Sequence, residues 1–305
     1  MTEARTLSAA GSPRIWRIGS REIILDHPIV MGILNVTPDS FSDGGNFFSA
    51  RSALEHAELM INDGADIIDI GGESTRPGAV PVREDEERRR VGPLVRELRE
   101  RFPGTPVSVD TTKATVAAEA LEAGAEIIND VSALRIDPAM APLVGKAGCG
   151  LVLMHSRGGV ADMATYDHAV YDDVIGDVMS ELGSQLLLAE EAGVDRKAVA
   201  FDPGFGFSKR TEHSIRLLQG LSRLRALDAP IVVGTSRKRF VREAISPPAT
   251  DGARDAQPSL EDRDTATSAV NVLALERGAM IFRVHNVRVN RKALDAAWKV
   301  LTTTL

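Results

Sequence analysis

Asp63-Gly64-Ala65-Asp66-Ile67-Ile68-Asp69 returns further along the chain as Ala123-Gly124-Ala125-Glu126-Ile127-Ile128-Asn129. Each copy has a glycine where a helix would end, a short apolar run rich in β-branched residues, and a polar residue at the end of the run. Glycine ends helices because it takes a left-handed backbone without a Cβ clash, and β-branched runs of this length read as buried strands. The pattern recurs at residues 107–111 after Pro106, 151–155 after Gly150, 198–203, 231–236 after Pro230 and 280–285 after Gly278. With residues 30–35, that makes eight runs. Apolar runs alternating with helical stretches predict parallel strands in βαβ units, and eight such units predict a closed (β/α)8 barrel. An open doubly wound sheet is the alternative. The count of eight disfavours it, and so does the missing Gly-x-Gly-x-x-Gly fingerprint: the nearest match, Gly204-Phe205-Gly206-Phe207-Ser208-Lys209, lacks the third glycine.

Outward from the repeats, residues 30–45 read as a buried strand that ends at Asn35, breaks at Thr37-Pro38 and opens into a polar loop through Gly44-Gly45. Proline has no N–H for a ladder and restrains the residue before it. Arg14-Ile15-Trp16-Arg17-Ile18, a Gly19-Ser20 turn and Arg21-Glu22-Ile23-Ile24-Leu25 predict a β-hairpin that plugs the N-terminal end of the barrel. Residues 1–13 read as a flexible tail, and 14–305 as one barrel domain. Ser52 and Glu55 have capping-box spacing at the head of a helix whose Leu54, Ala57 and Ile61 share a face and which Gly64 ends. Residues 246–262, rich in Pro, Asp and Ala, read as a mobile surface excursion between the seventh strand and its helix.

Composition narrows the class. A chain of 305 residues with 43% hydrophobic and 26% charged content can bury a full core. Aromatic content of 4% and a net charge of −7 argue against nucleic-acid binding and favour a cytoplasmic enzyme. The single cysteine, Cys149, excludes an intrachain disulfide and starts an apolar run, so it reads as a buried structural thiol. Residues 1–13 have no apolar h-region and no run reaches membrane-spanning length, which predicts no membrane partner.

Active sites of such barrels lie at the C-terminal ends of the strands. Here those ends carry Asn35, the loop 71–78, Asp110, Asn129, His155, Asp202, Ser236-Arg237-Lys238 and Arg283-Val284-His285. Singly, each has a bland reading: an Asx turn, a solvated charge run, a satisfied core histidine. Strands that end almost uniformly in polar or charged residues are hard to explain by packing. Asp110, Asn129, Asp202 and Lys238 supply acceptors, an amide and a cation, suited to a flat heterocycle with an amino-pyrimidinone edge. Arg283 and His285 share a side of one strand and form an anion site that Asn35, on the neighbouring strand, can join. Such a cluster suits a phosphate or diphosphate with a bridging metal ion.

Residues 31–45, 69–78, 108–111, 128–131, 202–207, 236–238 and 283–285 resemble the signature blocks of the dihydropteroate synthase family, the folate-pathway enzymes inhibited by sulfonamides. The resemblance runs from about Trp16 to the C-terminus, and the family's fold is a (β/α)8 barrel. It implies condensation of 6-hydroxymethyl-7,8-dihydropterin diphosphate with p-aminobenzoate to give 7,8-dihydropteroate and diphosphate. It further implies that Asp202, Asn129, Asp110 and Lys238 bind the pterin, and that Arg283 lies against its ring. Arg283, His285 and Asn35 would hold the diphosphate and Mg²⁺. Thr75, Arg76, Asp39 and Phe41 would close over p-aminobenzoate above a floor of Ser236 and Lys238. Asp110, Lys238, Arg283 and His285 would carry the catalysis, and a homodimer is implied. The sequence departs from the family pattern at Arg239, where a serine is often found, and the role of that position stays open. Rival readings are a methyltetrahydrofolate-dependent methyltransferase, a non-catalytic pterin-binding scaffold and a sugar-phosphate enzyme. The first and third leave the diphosphate cluster or the acceptor-rich floor unexplained, and the intact first and second loops argue against the scaffold.

Overall fold

The computed structural model describes residues 15–36, 46–74, 81–246 and 257–303, with the backbone alone at 46–50. Asp39, Phe41, Thr75, Arg76 and the N-terminal tail lie outside these residues. The parallel strands are β3 (Ile29–Asn35), β4 (Ile67–Gly71), β5 (Val107–Asp110), β6 (Ile127–Asp130), β7 (Gly150–Met154), β8 (Val199–Asp202), β9 (Val232–Val233) and β10 (Ile281–Val284). They pair in the order β8-β7-β6-β5-β4-β3-β10-β9. A parallel bridge between Phe201 and Ile231 joins the two ends, with Phe201 N–H donating to the Pro230 carbonyl at 2.8 Å. The sheet thus closes into the expected barrel. The seventh strand is shorter than the sequence predicts: regular pairing ends at Val233, before Gly234.

Strands β1 (Ile15–Ile18) and β2 (Arg21–Ile24) form the antiparallel hairpin, turning at Gly19 with φ of 63°. Trp16 and Ile18 are fully buried. Trp16 Nε1 donates to the Ala198 carbonyl at 2.8 Å, just ahead of β8, and Ile18 packs against Gly150 at the start of β7. The hairpin therefore covers the N-terminal ends of the strands and leaves the opposite mouth for chemistry.

Helices α1 (Asn46–Asn62), α2 (Glu84–Arg101), α3 (Ala114–Glu122), α4 (Met140–Ala147), α5 (Val174–Glu191), α6 (Thr211–Gln219), α7 (Arg239–Ile245), α8 (Leu260–Glu276) and α9 (Val287–Thr302) lie between or after the strands. Two local expectations are corrected. Helix α1 starts at Asn46, so Ser52 is inside it rather than at its cap; a capping serine needs an extended backbone, and Glu55 instead pairs with Arg51 at 2.9 Å. Leu54 and Ala57 are buried as expected, Ile61 is half-buried, and Gly64 (φ 97°) follows the helix end. The excursion expected over 246–262 runs between two helices, not between a strand and a helix. Its last residues are ordered by a capping box in which Ser259 and Asp262 exchange hydrogen bonds of 3.0 Å. Cys149 is buried, and burial pushes its thiol up to about 12, so it is the expected inert structural thiol.

Register builds the floor of the open mouth. Asn35 pairs with Gly71, Gly71 with Asp110, and Asp110 with Asn129, so four neighbouring strands present these residues at one level. One level below, Ile33, Asp69, Ser108 and Ile127 form the next row. Because side chains alternate along a strand, both rows point to the same face.

Candidate active site

Arg283 rises from β10 into these rows. Its Nε donates to Asp69 Oδ2 and its Nη2 to Asp110 Oδ2, both at 2.6 Å. Asn129 Nδ2 donates to the same Asp69 oxygen at 3.3 Å. Burial disfavours the ionised carboxyl of Asp110, and despite the attraction of Arg283 its pKa is pushed up to about 7, with Asp69 adding repulsion. Burial would lower Arg283, but Asp69 and Asp110 overcome it and hold the guanidinium above its ordinary value. Gly71 carries no side chain between Asn35 and Asp110: a Cβ there would lie 3.3 Å from Asn35 Oδ1 and 3.9 Å from Asp110 Cβ. The glycine leaves a polar-edged gap at the centre of the row.

Asp202 ends β8 across the barrel and is buried. Its Oδ1 accepts from Gly204 N–H at 2.7 Å, a turn only glycine can make: Gly204 has φ of 69°, and a Cβ would sit 1.8 Å from the His155 carbonyl oxygen. Burial raises the Asp202 carboxyl, against the attraction of Lys238. Lys238 Nζ donates to the Phe205 carbonyl and lies 4.2 Å from the centre of the Phe207 ring. Burial brings its ammonium down to about 8, with Asp202 pulling the other way. Phe205 is fully buried and stacks on Phe240 of α7 at 5.8 Å, which fixes the loop that carries the carbonyl.

At the rim, Ser236 Oγ accepts from His285 N–H at 3.2 Å and meets His285 Nδ1 at 2.9 Å. The charge run beside Ser236 divides three ways. Arg237, with φ of 59°, forms a bidentate pair with Asp264 at 2.6 and 2.9 Å, and Asn286 donates to the same carboxylate at 3.0 Å. Lys238 turns inward. Arg239 is exposed, with its guanidinium over the Tyr166 ring at 4.7 Å.

Asp110, Asn129, Asp202, Lys238 and Arg283 are therefore brought into one electrostatic neighbourhood, and Ser236 meets His285. Asn35 sits beside Gly71, toward Asp110. His155 falls away from the set as the satisfied core histidine: it is buried, its Nδ1 meets Lys209 Nζ at 2.8 Å and its Nε2 meets Glu181 at 3.0 Å. Three features escaped the sequence reading. Asp69 is an acid inside the apolar run 67–70, an anomaly visible in the sequence. Lys209 is fully buried, and donates to the Gly204 and Phe207 carbonyls at 3.2 and 3.1 Å. Lys113 gathers Glu73 at 3.1 Å, Glu87 at 2.6 Å and the Val82 carbonyl at 2.9 Å, while Glu73 accepts from Val82 N–H at 2.5 Å. That cluster ties together the chain on the two sides of residues 75–80.

Among the described residues, no group of three or more His, Cys, Asp or Glu side chains could hold a metal ion. Asp69 and Asp110 each give one oxygen to Arg283, which offsets their charge, and the neutral oxygen at this edge is the Asn35 amide. One neutral oxygen fits a Mg²⁺ ion that keeps its waters and arrives on substrate phosphates, not one caged by protein.

Comparison with known proteins agrees with this geometry. The profile of the family described as Pterin binding enzyme matches residues 31–285. The dihydropteroate synthase of Mycobacterium leprae (strain TN) is 44% identical over 271 residues, covering 88% of this chain and 93% of that protein. The Bacillus subtilis (strain 168) dihydropteroate synthase is 44% identical over 260 residues, covering 85% and 84%. The solved structure of Xanthomonas albilineans dihydropteroate synthase with 4-aminobenzoic acid superposes with a TM-score of 0.86 at 40% identity, over 96% of this chain and 100% of that one. The same organism's enzyme in complex with 7,8-dihydropteroate gives 0.81 at 38% identity, over 95% and 100%. A closed barrel with acids, an amide, a lysine and an arginine at its strand ends, and sequence identity across nearly its whole length, place this chain in the dihydropteroate synthase family of pterin-binding enzymes.

Proposed function

We propose that the chain condenses 6-hydroxymethyl-7,8-dihydropterin diphosphate with p-aminobenzoate, releasing 7,8-dihydropteroate and diphosphate. The observation that carries this reading is the convergence of Asp110, Asn129, Asp202 and Lys238 around Arg283 in a family whose relatives bear that activity in their names. Asp202 Oδ1 is already turned by Gly204 N–H, so its remaining lone pairs can take the two N–H groups on the guanidine-like edge of a pterin. Lys238 donates to the pterin carbonyl, and Asp110 and Asn129 meet the opposite edge.

The amine of p-aminobenzoate is a weak nucleophile because its lone pair is delocalised into the ring. Departure of diphosphate before attack lowers this demand, leaving a methylene cation conjugated with the pterin. Buried carboxylates at Asp110 and Asp202 stabilise positive charge as it grows there, and Arg283 and His285 stabilise the departing anion. Mg²⁺ held by Asn35 and the diphosphate oxygens would neutralise charge on the leaving group. The amine loses its proton only after attack, so no strong general base is needed. Ser236 and Lys238 form the floor under p-aminobenzoate, and Asp39, Phe41, Thr75 and Arg76 cover it on the strength of the family resemblance. A homodimer and a cytoplasmic location are proposed on the same grounds; among the described residues no helix is long and apolar enough to cross a membrane.

Diphosphate release, assayed with both substrates and with each alone, tests the reaction: release only with both supports it, and none with both overturns it. Calorimetry of Asp202→Asn with pterin diphosphate tests the pocket. An amide presents a donor where the carboxylate accepts, so binding should weaken by about 1–3 kcal/mol for each N–H left unpaired. Affinity equal to that of the unaltered chain would remove Asp202 from the site.

A further inference from the structure

We propose that Asp69, which no substrate reaches, is a positioning residue that keeps Arg283 paired while Asp110 turns to the pterin. The inference rests on the reaction proposed above. Asp69 has no exposed surface, and its strand neighbours on the same row are Ile33 and Ser108, both buried. A carboxylate in such a place is tolerated only when ionised against a cation or protonated, and here Arg283 Nε stands 2.6 Å from its Oδ2. Every hydrogen bond Asp69 makes to the described residues converges on that one oxygen, from Arg283 and from Asn129. One short side chain thus orients two groups of the pterin site from the row beneath them.

The guanidinium bridges two carboxylates with different duties. Asp110 is in the upper row, level with Asn129 and the gap over Gly71, where a pterin edge would meet it. Arg283 holds one oxygen of Asp110, Oδ2, and a pterin edge that draws this carboxylate toward itself weakens that contact. Asp69, one row lower, is out of this competition and retains the Nε contact. Without it, Asp110 would be the one carboxylate at hydrogen-bond distance from Arg283 among the described residues, and the guanidinium would follow every movement of Asp110. A charge-assisted hydrogen bond is about twice as strong as a neutral one, so the loss should reach the chemical step.

The test is a double-mutant cycle of Asp69→Asn and Arg283→Ala, with both kinetic constants measured for each substrate. Asn is close to isosteric and keeps an acceptor for Arg283 and Asn129. Asp69→Asn alone should lower kcat on the order of tenfold, the scale of a charged hydrogen bond made neutral. The KM for p-aminobenzoate should stay unchanged. In the Arg283→Ala background the same change should cost less than about twofold, because Asn still accepts from Asn129 and Arg283 is no longer there to be positioned. Equal losses in both backgrounds would mean that Asp69 only supports the barrel, and would overturn the proposal. If the unaltered chain releases no diphosphate, the reaction proposed above fails, whatever Asp69 does. Should Asp69→Asn not fold, the unaltered chain decides through the Arg283 Nε–H resonance, assigned with Arg283→Lys. Slow solvent exchange that persists with 7,8-dihydropteroate bound means that Asp69 keeps its hold; exchange that becomes fast means that it does not.

Discussion

Two cations stand at the mouth of this barrel, Arg283 half-buried and Lys209 fully buried, and they are held in opposite ways. Arg283 faces two carboxylates, Asp69 and Asp110, each at 2.6 Å. Lys209 faces the imidazole of His155 and the carbonyls of Gly204 and Phe207. Burial works against charge in both. For Arg283 the carboxylates prevail and protonation is favoured, while Lys209, given only neutral acceptors at hydrogen-bond distance, is held well below the ordinary lysine value. Arg283 therefore keeps a secure charge that can act on a departing anion. Lys209 acts as a hydrogen-bond hub that shapes the loop between Asp202 and α6. The comparison separates a cation kept charged by carboxylates from one held by neutral acceptors.

The largest expected effect is at the first cation. Arg283→Ala should lower kcat at saturating substrate on the order of 10²-fold or more, the scale of one preorganised electrostatic donor. The bound diphosphate is already anionic, so ground-state affinity also falls; kcat isolates the charge that grows as the C–O bond breaks. A saturating rate within about twofold of the unaltered chain would place the anion site elsewhere.

Next in size is the pH dependence of kcat/KM for pterin diphosphate, which reports the free enzyme. Asp110 accepts through both oxygens, and carries the charge that offsets a growing cation, only when ionised, so activity should fall below its pKa of about 7. Lys238 donates to a carbonyl best when protonated, so activity falls above its pKa of about 8. The profile should be a narrow bell, losing about tenfold per pH unit on each side. Lys238→Arg should push the alkaline limb upward, because a guanidinium keeps its proton. An alkaline limb that Lys238→Arg leaves in place would belong to another group.

Lys209→Met should show the contrast from the other side. Methionine fills the space but leaves His155 Nδ1 and two carbonyls without their donor, at about 1–3 kcal/mol for a buried group left unpaired. Denaturant melts should register that loss, while kcat in the folded fraction stays within about threefold. A kcat loss matching that of Arg283→Ala with no loss of stability would show Lys209 to be part of the chemistry.

The same contrast explains what could be read from the sequence. The barrel was legible because eight apolar runs each end in a polar residue, a pattern that survives without knowledge of any contact. Asp110, Asn129, Asp202, Lys238 and Arg283 were legible because strand ends converge in this fold. Asp69 was not assigned, because its partner lies 214 positions away and nothing local names it. Lys209 was hidden inside a glycine-rich stretch that invites comparison with nucleotide loops, and its role follows only from carbonyls that the turn at Gly204 brings together. The helix start at Asn46 was missed because Ser52 and Glu55 imitate a cap, and only the backbone before Ser52 tells an interior serine from a capping one.

The smallest expected effect concerns the histidine that Lys209 touches. Burial and the nearby Lys209 hold His155 down to about 4, against an ordinary value of 6.5, despite the opposing pull of Glu181. The folded chain therefore binds fewer protons there than the unfolded chain between those pH values. Stability from this residue is complete above pH 6.5 and is lost as the pH falls toward 4. Asp110 and Asp202, whose carboxyls are raised, work the other way, because the folded state takes up protons there first. The whole-protein melting curve therefore mixes opposite signs, and the difference between the unaltered chain and His155→Gln is the quantity to follow. Glutamine keeps polar contacts toward Lys209 and Glu181 but does not titrate. The stability advantage of histidine should shrink as the pH is lowered through this window, by roughly 2–4 °C in melting temperature for each kcal/mol of linkage lost. A difference that stays flat from neutral pH downward would mean that His155 is protonated as readily in the folded chain as in water. The hub at Lys209 would then be open to solvent, and the distinction between the two cations would collapse.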